Sequence, residues 1–279
     1  MILSRRTRRT TTHALTYLLL IGVAVLVLFP LWSAFTISML DDAEVASYPP
    51  RLAPSNLQLT NFKRALEQAP LLRYLFNSIT QSTIVMVGQL VTASLAAFAF
   101  AFIDFKGRNI LFLVFLSTMM IPWEATIIPN YLMIQSLGWT DTFQGLSSPF
   151  LATAFGTFLL RQFFLTIPKE LHDAAVIDGS GNLRFLVTIV VPLARPALGT
   201  LAIYSFLQTY NQYLWPLLIT NNQNMRTVQI GIALLQDEER FMFNIVMAGV
   251  VLILIPTFTL FIVGNRQLIR GLTAGAVKG

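Results

Sequence analysis

No cysteine occurs among the 279 residues, and only two histidines do, His13 and His172. A disulfide framework, a thiolate metal site and a cysteine nucleophile are excluded together. Neither histidine is spaced to share a ligand set with other donors, so no metal site is expected. Charge is scarce as well. It makes up 11% of residues against 55% hydrophobic, where a soluble domain carries roughly a quarter charged. No G-x-x-x-x-G-K-[ST] string is present, so a P-loop for ATP is not expected on this chain. No nucleophile–base constellation is spaced for catalysis, and no cofactor is expected here. Such a composition belongs in a bilayer.

What is there is a series of long apolar runs. Six are near the roughly 20 residues needed to cross the hydrocarbon core: about 14–37, 77–103, 110–133, 143–160, 197–219 and 241–263. The run at 143–160 is short and rich in Gly, Ser and Thr, which suits packing against helices rather than lipid. The fold class expected is all-α: a polytopic membrane protein of six transmembrane helices, forming one domain over 1–279. The net charge of +6 does not point to nucleic acid, because the basic residues flank the apolar runs. Thirteen of the 19 Lys and Arg residues fall on one side, among them Arg5, Arg6, Arg8, Arg9, Lys106 and Arg161. By the positive-inside rule that side is cytoplasmic. Both termini are then cytoplasmic, and the chain is expected to be a multi-pass protein of the cell membrane. The first run is too long for a signal-peptide core and lacks a clear cleavage pattern, so it is read as an uncleaved span. In the long outer loop, Pro49, Pro50, Pro54 and Asn56 mark turns, and 60–69 is predicted to form a short helix.

Pro30, Pro122, Pro129, Pro149, Pro216 and Pro256 fall within the apolar runs. Each deletes a backbone hydrogen bond and bends or breaks its helix, which a membrane tolerates only where protein or a water-filled cavity covers the freed group. Beside the first of the close pair Pro122 and Pro129 stands Glu124, the acidic residue deep within a span. An intramembrane carboxylate is a functional candidate by default. Its alternative is a side chain that plugs the break near Pro122. Gln208, Tyr210, Asn211, Gln212, Tyr213 and Trp215 cluster late in the fifth run. Amides and aromatic rings bind polyols and sugars by hydrogen bonds and stacking, although Tyr213 and Trp215 also fit an interfacial belt. Asn77, with Ser78, Thr80 and Gln81, lines the same pathway or glues helices together.

Between runs four and five lies Lys169-Glu170-Leu171-His172-Asp173-Ala174-Ala175-Val176-Ile177-Asp178-Gly179, within a cytoplasmic loop at 166–192. Pro168 suits the first turn of a helix. Leu171, Ala174 and Ala175 share a face at i, i+3, i+4 spacing, and Gly179 can take the left-handed conformation that ends a helix. A charged helix between membrane spans faces water or another protein, and small Ala174 and Ala175 allow close approach. It reads as a docking element. His172 is placed on its surface.

The spacing Asp173-Ala174-Ala175-x-x-x-Gly179-x9-Ile189-x-x-Pro192 resembles the EAA loop of permease subunits in bacterial binding-protein-dependent, ATP-driven importers. Asp173 stands where that family usually has Glu. Arg161-Gln162-Phe163-Phe164, Asn211-Gln212-Tyr213-Leu214-Trp215-Pro216, Ile121-Pro122-x-Glu124 and Arg270-Gly271-Leu272 are similar to the carbohydrate-type permeases of the maltose/glycerol-phosphate group, above all its glycerol-3-phosphate branch. The resemblance implies coupling to an ATPase through Glu170, Asp173, Ala174, Ala175, Asp178, Gly179, Ile189 and Pro192. It implies a second permease subunit, two ATP-binding subunits that carry ATP and Mg, an extracytoplasmic substrate-binding protein, and membrane lipid around the spans. The implied substrate is sn-glycerol-3-phosphate or a glycerophosphodiester, with a di- or oligosaccharide as alternative. A carboxylate such as Glu124 would repel a phosphate, so beside such a substrate it orients hydroxyls or gates. An ion-coupled secondary transporter using Glu124 is the rival class, but such folds usually carry inverted repeats and none is visible.

Overall fold

The computed structural model describes residues 5–49, 51, 53–236 and 242–273, with side chains described for 13–49, 51, 53–236 and 242–264. Among the described residues there is no strand. In chain order the helices are α1 (Arg5–Ile37), α2 (Asp42–Val45), α3 (Thr60–Gln68), α4 (Leu71–Phe102), α5 (Arg108–Ser117), α6 (Trp123–Ser136), α7 (Phe143–Ser147), α8 (Ala154–Phe164), α9 (Lys169–Ile177), α10 (Asn182–Phe185), α11 (Val191–Leu193), α12 (Arg195–Tyr210), α13 (Leu214–Ile219), α14 (Val228–Leu235) and α15 (Phe243–Thr273).

Among the described residues three helices are continuous and apolar enough to span a bilayer: His13–Ile37 of α1, α4, and Phe243–Gly264 of α15. They correspond to the first, second and sixth expected runs, although Phe241 itself lies outside the described residues. The other runs are interrupted. The third is bent by 93° between Arg108–Met120 and Trp123–Ser136. Pro122 lacks an N–H and pushes Ile121 into extended backbone, with φ −80° and ψ 113°, whereas Pro129 is accommodated inside α6. The run at 143–160 is not one helix: α7, a 3₁₀ turn over Ser148–Phe150 and α8 divide it, because Pro149 and the small residues around it do not sustain a long helix. The fifth run breaks after Tyr210 and resumes at Leu214, upstream of Pro216. A second sharp bend, 83°, separates Asn182–Leu193 from α12.

The chain divides into two units, residues 1–70 with 232–254, and 71–231 with 255–279. In the first, α3 fills the predicted 60–69 helix. Asn61 donates to the carbonyls of Ser38 and Leu40 at 3.0 and 2.8 Å. Asn244 donates to the Leu40 carbonyl and to Asp42 at 3.2 and 2.8 Å. The end of α1 thereby reaches α2, which starts with a capping box between Asp41 and Glu44. Glu44 also pairs with Arg51 at 3.0 Å and accepts from the Ser55 amide at 2.9 Å.

In the second unit α4 packs along both α8 and α12. Its polar residues follow one helical face and satisfy backbone that broken helices leave unpaired. Asn77 donates to the carbonyls of Asn224 and Arg226, both at 2.8 Å. Ser78 accepts from the Val228 amide at 2.9 Å. Gln81 donates to Leu146 at 3.1 Å, Gln89 to Phe150 at 2.8 Å, and Thr92 to Leu151 at 2.8 Å. Gly88 lets the Leu151 segment lie flat on α4, since a Cβ there would sit 2.6 Å from the Leu151 side chain. Asn77, Ser78 and Gln81 are therefore structural ties. At the other end Arg161 donates to the Phe100 carbonyl at 3.1 Å and stacks over Phe112 at 4.1 Å.

Two measurements check this account. Thr92→Val removes the hydroxyl and leaves the Leu151 carbonyl unpaired, so thermal unfolding in detergent should show a loss of about 1–3 kcal/mol. In the outer loop, Asp42 is held below the usual carboxylate range, chiefly by the Asn244 hydrogen bond and further by Arg64, against partial burial. Glu44 is held below it chiefly by hydrogen bonds from Ser55. Lowered folded-state values stabilise the loop above about pH 4, the ordinary carboxylate value, and that contribution is lost as pH falls through them. Amide protection over 41–61, corrected for intrinsic exchange, should hold at pH 7 and fall below pH 4.

Candidate functional site: a cavity where broken helices meet

The three interruptions within the apolar runs converge. Trp123 and Glu124 open α6 just past the 93° bend. Phe150 and Thr153 flank the gap before α8, and Gln208, Thr209, Asn211 and Gln212 stand at the end of α12 and in the gap after it. With Gln89 and Tyr204 they line one cavity of about 460 Å³. That size lies within the range of small-molecule sites. Non-helical backbone at membrane depth is tolerated where it lines such a space.

The lining is chemically uneven. Gln89, Gln208, Asn211 and Gln212 bring amides, Thr153, Thr209 and Tyr204 bring hydroxyls, and Trp123 and Phe150 bring ring faces. Among the described residues Glu124 is the one charged group of the lining, and no Lys, Arg or His joins it. Glu124 occupies the first turn of α6, where the helix dipole favours a carboxylate. It is exposed, and among the described residues its side chain makes no hydrogen bond or ion pair. A second negative charge 5 Å away would be repelled by about 3 kcal/mol at an effective dielectric of ~20.

Several lining groups are held by neighbours. Gln212 accepts from Gln81 at 3.1 Å. Asn211 donates to the Leu207 carbonyl at 2.9 Å and accepts from Gln229 at 3.3 Å. Gln89 accepts from the Ser205 hydroxyl while its amide holds Phe150. Sequence reasoning missed Gln89; its signal was an amide inside an apolar helix, on the face that also carries Gln81.

Of the residues expected along the pathway, Glu124, Gln208, Asn211 and Gln212 are brought together. Asn77, Tyr210 and Trp215 lie elsewhere. Asn77 is buried and spends its amide on the 224–226 turn. Tyr210 is buried and stacks on Phe206 with ring centroids 5.8 Å apart. Trp215 is 1% exposed, so it is not part of an interfacial belt. Its indole donates to the Gly145 carbonyl at 3.2 Å, and its ring backs Trp123 and Phe150 at 5.6 and 6.0 Å. It supports the aromatic wall from behind.

The second group of expected residues surrounds α9. Gly179 has φ +74°, in the left-handed region. The Ser180 amide donates to Ala175 at 2.8 Å and the Gly179 amide to Val176 at 3.0 Å, the two bonds of a Schellman cap. Pro168 is the N-cap rather than a first-turn residue. The alanine pair is split. Ala175 is buried among Phe98, Phe164 and Phe185, while Ala174 is exposed. Leu171, Ala174 and Ala175 thus do not form one outward face. The exposed strip is Glu170, Asp173, Ala174 and Ile177, the last 86% exposed, with Asp178 exposed beside it. His172 turns inward, with rings 5.0 Å from Phe185 and 5.7 Å from Phe102. Ile189 and Pro192 are part-buried, and Ile189 packs on the inner core. The side chains of Arg270 and Leu272 lie outside the described residues.

Over residues 89–272 the sequence matches the family described as binding-protein-dependent transport system inner membrane component, and the chain belongs to it. It is thus a multi-pass inner-membrane permease with a transport role rather than a catalytic one. Among curated relatives it is similar to the sn-glycerol-3-phosphate transport system permease protein UgpE of Rhizobium meliloti, 35% identical over 95% of this chain and 97% of that protein. It is similar to the UgpE of Salmonella typhimurium, 37% identical over 98% of each. Among solved structures, a chain of a bacterial ABC transporter that imports the acidic polysaccharide alginate superposes with a TM-score of 0.81, at 24% identity over 95% of this chain and 99% of that one. That likeness shows the importer-permease fold.

The placement of Trp215 can be tested directly. Trp215→Ala should cost about 3–5 kcal/mol of unfolding stability, measured by thermal melting in detergent, where a residue in a lipid-interface belt would cost little.

Proposed function

We propose that this chain is one of two permease subunits in an ATP-driven importer of sn-glycerol-3-phosphate or glycerophosphodiesters. Residues 1–279 form its single permease domain, with both termini and the 166–192 loop cytoplasmic. Two ATPase subunits bind ATP and Mg, grip α9 and work the pore. An extracytoplasmic binding protein delivers the substrate, as in the alginate transporter crystallised with its pentasaccharide-bound periplasmic protein.

The observation that carries this reading is the outward strip of α9. Ile177, with Val176 and Leu171 exposed on the same short helix, leaves apolar surface beside Ala174 that a docked partner would cover. Glu170 and Asp173 on the same strip supply charge for register, and the Schellman cap at Gly179 fixes where the helix stops. Behind the strip, Ala175 and His172 seat α9 against Phe102 of α4 and Phe185 of α10. A displacement of α9 by closing ATPases therefore reaches α4, whose amides hold the cavity wall. Nucleotide then biases an equilibrium between inward- and outward-open pores.

A di- or oligosaccharide is the second reading of the substrate. It is favoured by a cavity lined with amides and aromatic faces and by no cation.

The coupling reading is tested in the assembled importer. Ala174→Trp and Gly179→Pro should each lower ATP-dependent uptake more than tenfold while membrane insertion is retained. Ala174 is the informative position, since substituting buried Ala175 would disturb the fold itself. Undiminished uptake in both variants would remove α9 from the coupling path, and uptake driven by a proton gradient without ATP would favour the ion-coupled class.

A further inference from the structure

We infer that the cavity under Glu124 binds the uncharged, hydroxylated part of the transported molecule, with Glu124 accepting a hydrogen bond from a substrate hydroxyl, and that no phosphate is held there. The inference rests on the importer reading above and adds what this subunit recognises. Three features of the lining carry it. Among the described residues the cavity offers no cation, and an anionic phosphate taken out of water without one loses its hydration and gains no opposite charge. Its one ionisable wall group is a carboxylate, which repels an anion and accepts strongly from an O–H. The other polar groups come as paired donors and acceptors on Gln208, Asn211 and Gln212, which is what adjacent hydroxyls require.

The arrangement is built rather than incidental. Gln212 is aligned by Gln81 from behind, and Asn211 is fixed by its bonds to Leu207 and Gln229. Glu124 is left with no partner among the described residues, so its oxygens are free for a ligand. Trp123 and Phe150, 4.7 Å apart between ring centroids, add an apolar surface against which C–H faces of a polyol or sugar ring can lie. A phosphate carried by the same substrate is held outside this cavity.

The test is a substrate-by-variant cycle on the complete importer in liposomes, with its own binding protein and both ATPases. Uptake of sn-glycerol-3-phosphate is compared with that of 3-hydroxypropyl phosphate, which lacks the central hydroxyl. A neutral disaccharide and a deoxy analogue of it form the second arm. Wild type and Glu124→Gln share one binding protein, so the ratio of the two discriminations reports the permease alone. In the arm the importer accepts, loss of the hydroxyl should slow the wild type about tenfold more than it slows the variant, the worth of a hydrogen bond to a charged group. Equal discrimination in wild type and variant overturns the inference and leaves the importer reading standing. So does faster phosphate uptake by Glu124→Gln without any change in hydroxyl discrimination. Uptake of neither substrate class overturns both.

Discussion

A backbone that stops being helical inside a membrane must find hydrogen-bond partners within the protein, and here α4 is the element that supplies them. Asn77, Gln81, Gln89 and Thr92 recur along one side of a 32-residue helix and reach carbonyls at 224–226, 146, 150 and 151. Without those donors the stretch between α7 and α8 would carry orphan carbonyls at membrane depth, each at a cost of several kcal/mol. The cavity exists because the breaks are tolerated, and the breaks are tolerated because α4 is polar on that side.

The same helix connects the two ends of the proposed mechanism. At one end Phe98 and Phe102 meet Phe185 and His172, the groups on which α9 sits. Further along, Gln81 and Gln89 touch the groups that face the cavity. At 1.5 Å rise per residue, α4 is about 48 Å long, so a rotation or shift at its Phe102 end would move the cavity wall without any intermediate relay. This is a mechanical connection between packed groups.

Much of this was legible in the sequence, and the reasons for the rest are specific. Hydropathy found α1, α4 and α15 because each is a long apolar run, and Pro30 in α1 and Pro256 in α15, expected to bend or break their helices, lie inside helices that remain continuous. Pro122 was legible as a break, since a residue before proline resists the helical region. Gly179 was legible as a helix stop, and its left-handed φ has that cause. The division of 143–160 was not, because apolarity measures what lipid accepts and says nothing about whether a neighbour holds the carbonyls of Leu146, Phe150 and Leu151. Trp215 and Tyr210 looked like pathway groups because composition near a span end cannot separate a ring that faces the cavity from one that backs it. Ala174 and Ala175 are adjacent, so a 100° turn sends them to opposite environments, and spacing to Leu171 alone does not decide which faces inward.

The exposed stretch of α1 has a consequence of a different kind. From His13 to Phe29 every side chain is open along the helix, so within this chain no shape must be matched there. The demands on that segment are thickness and oiliness. Leucine, isoleucine and valine are interchangeable under such a demand, and identity there should drift freely while length does not. On α4, by contrast, exchanging a single glutamine for an equally sized apolar residue breaks a specific bond.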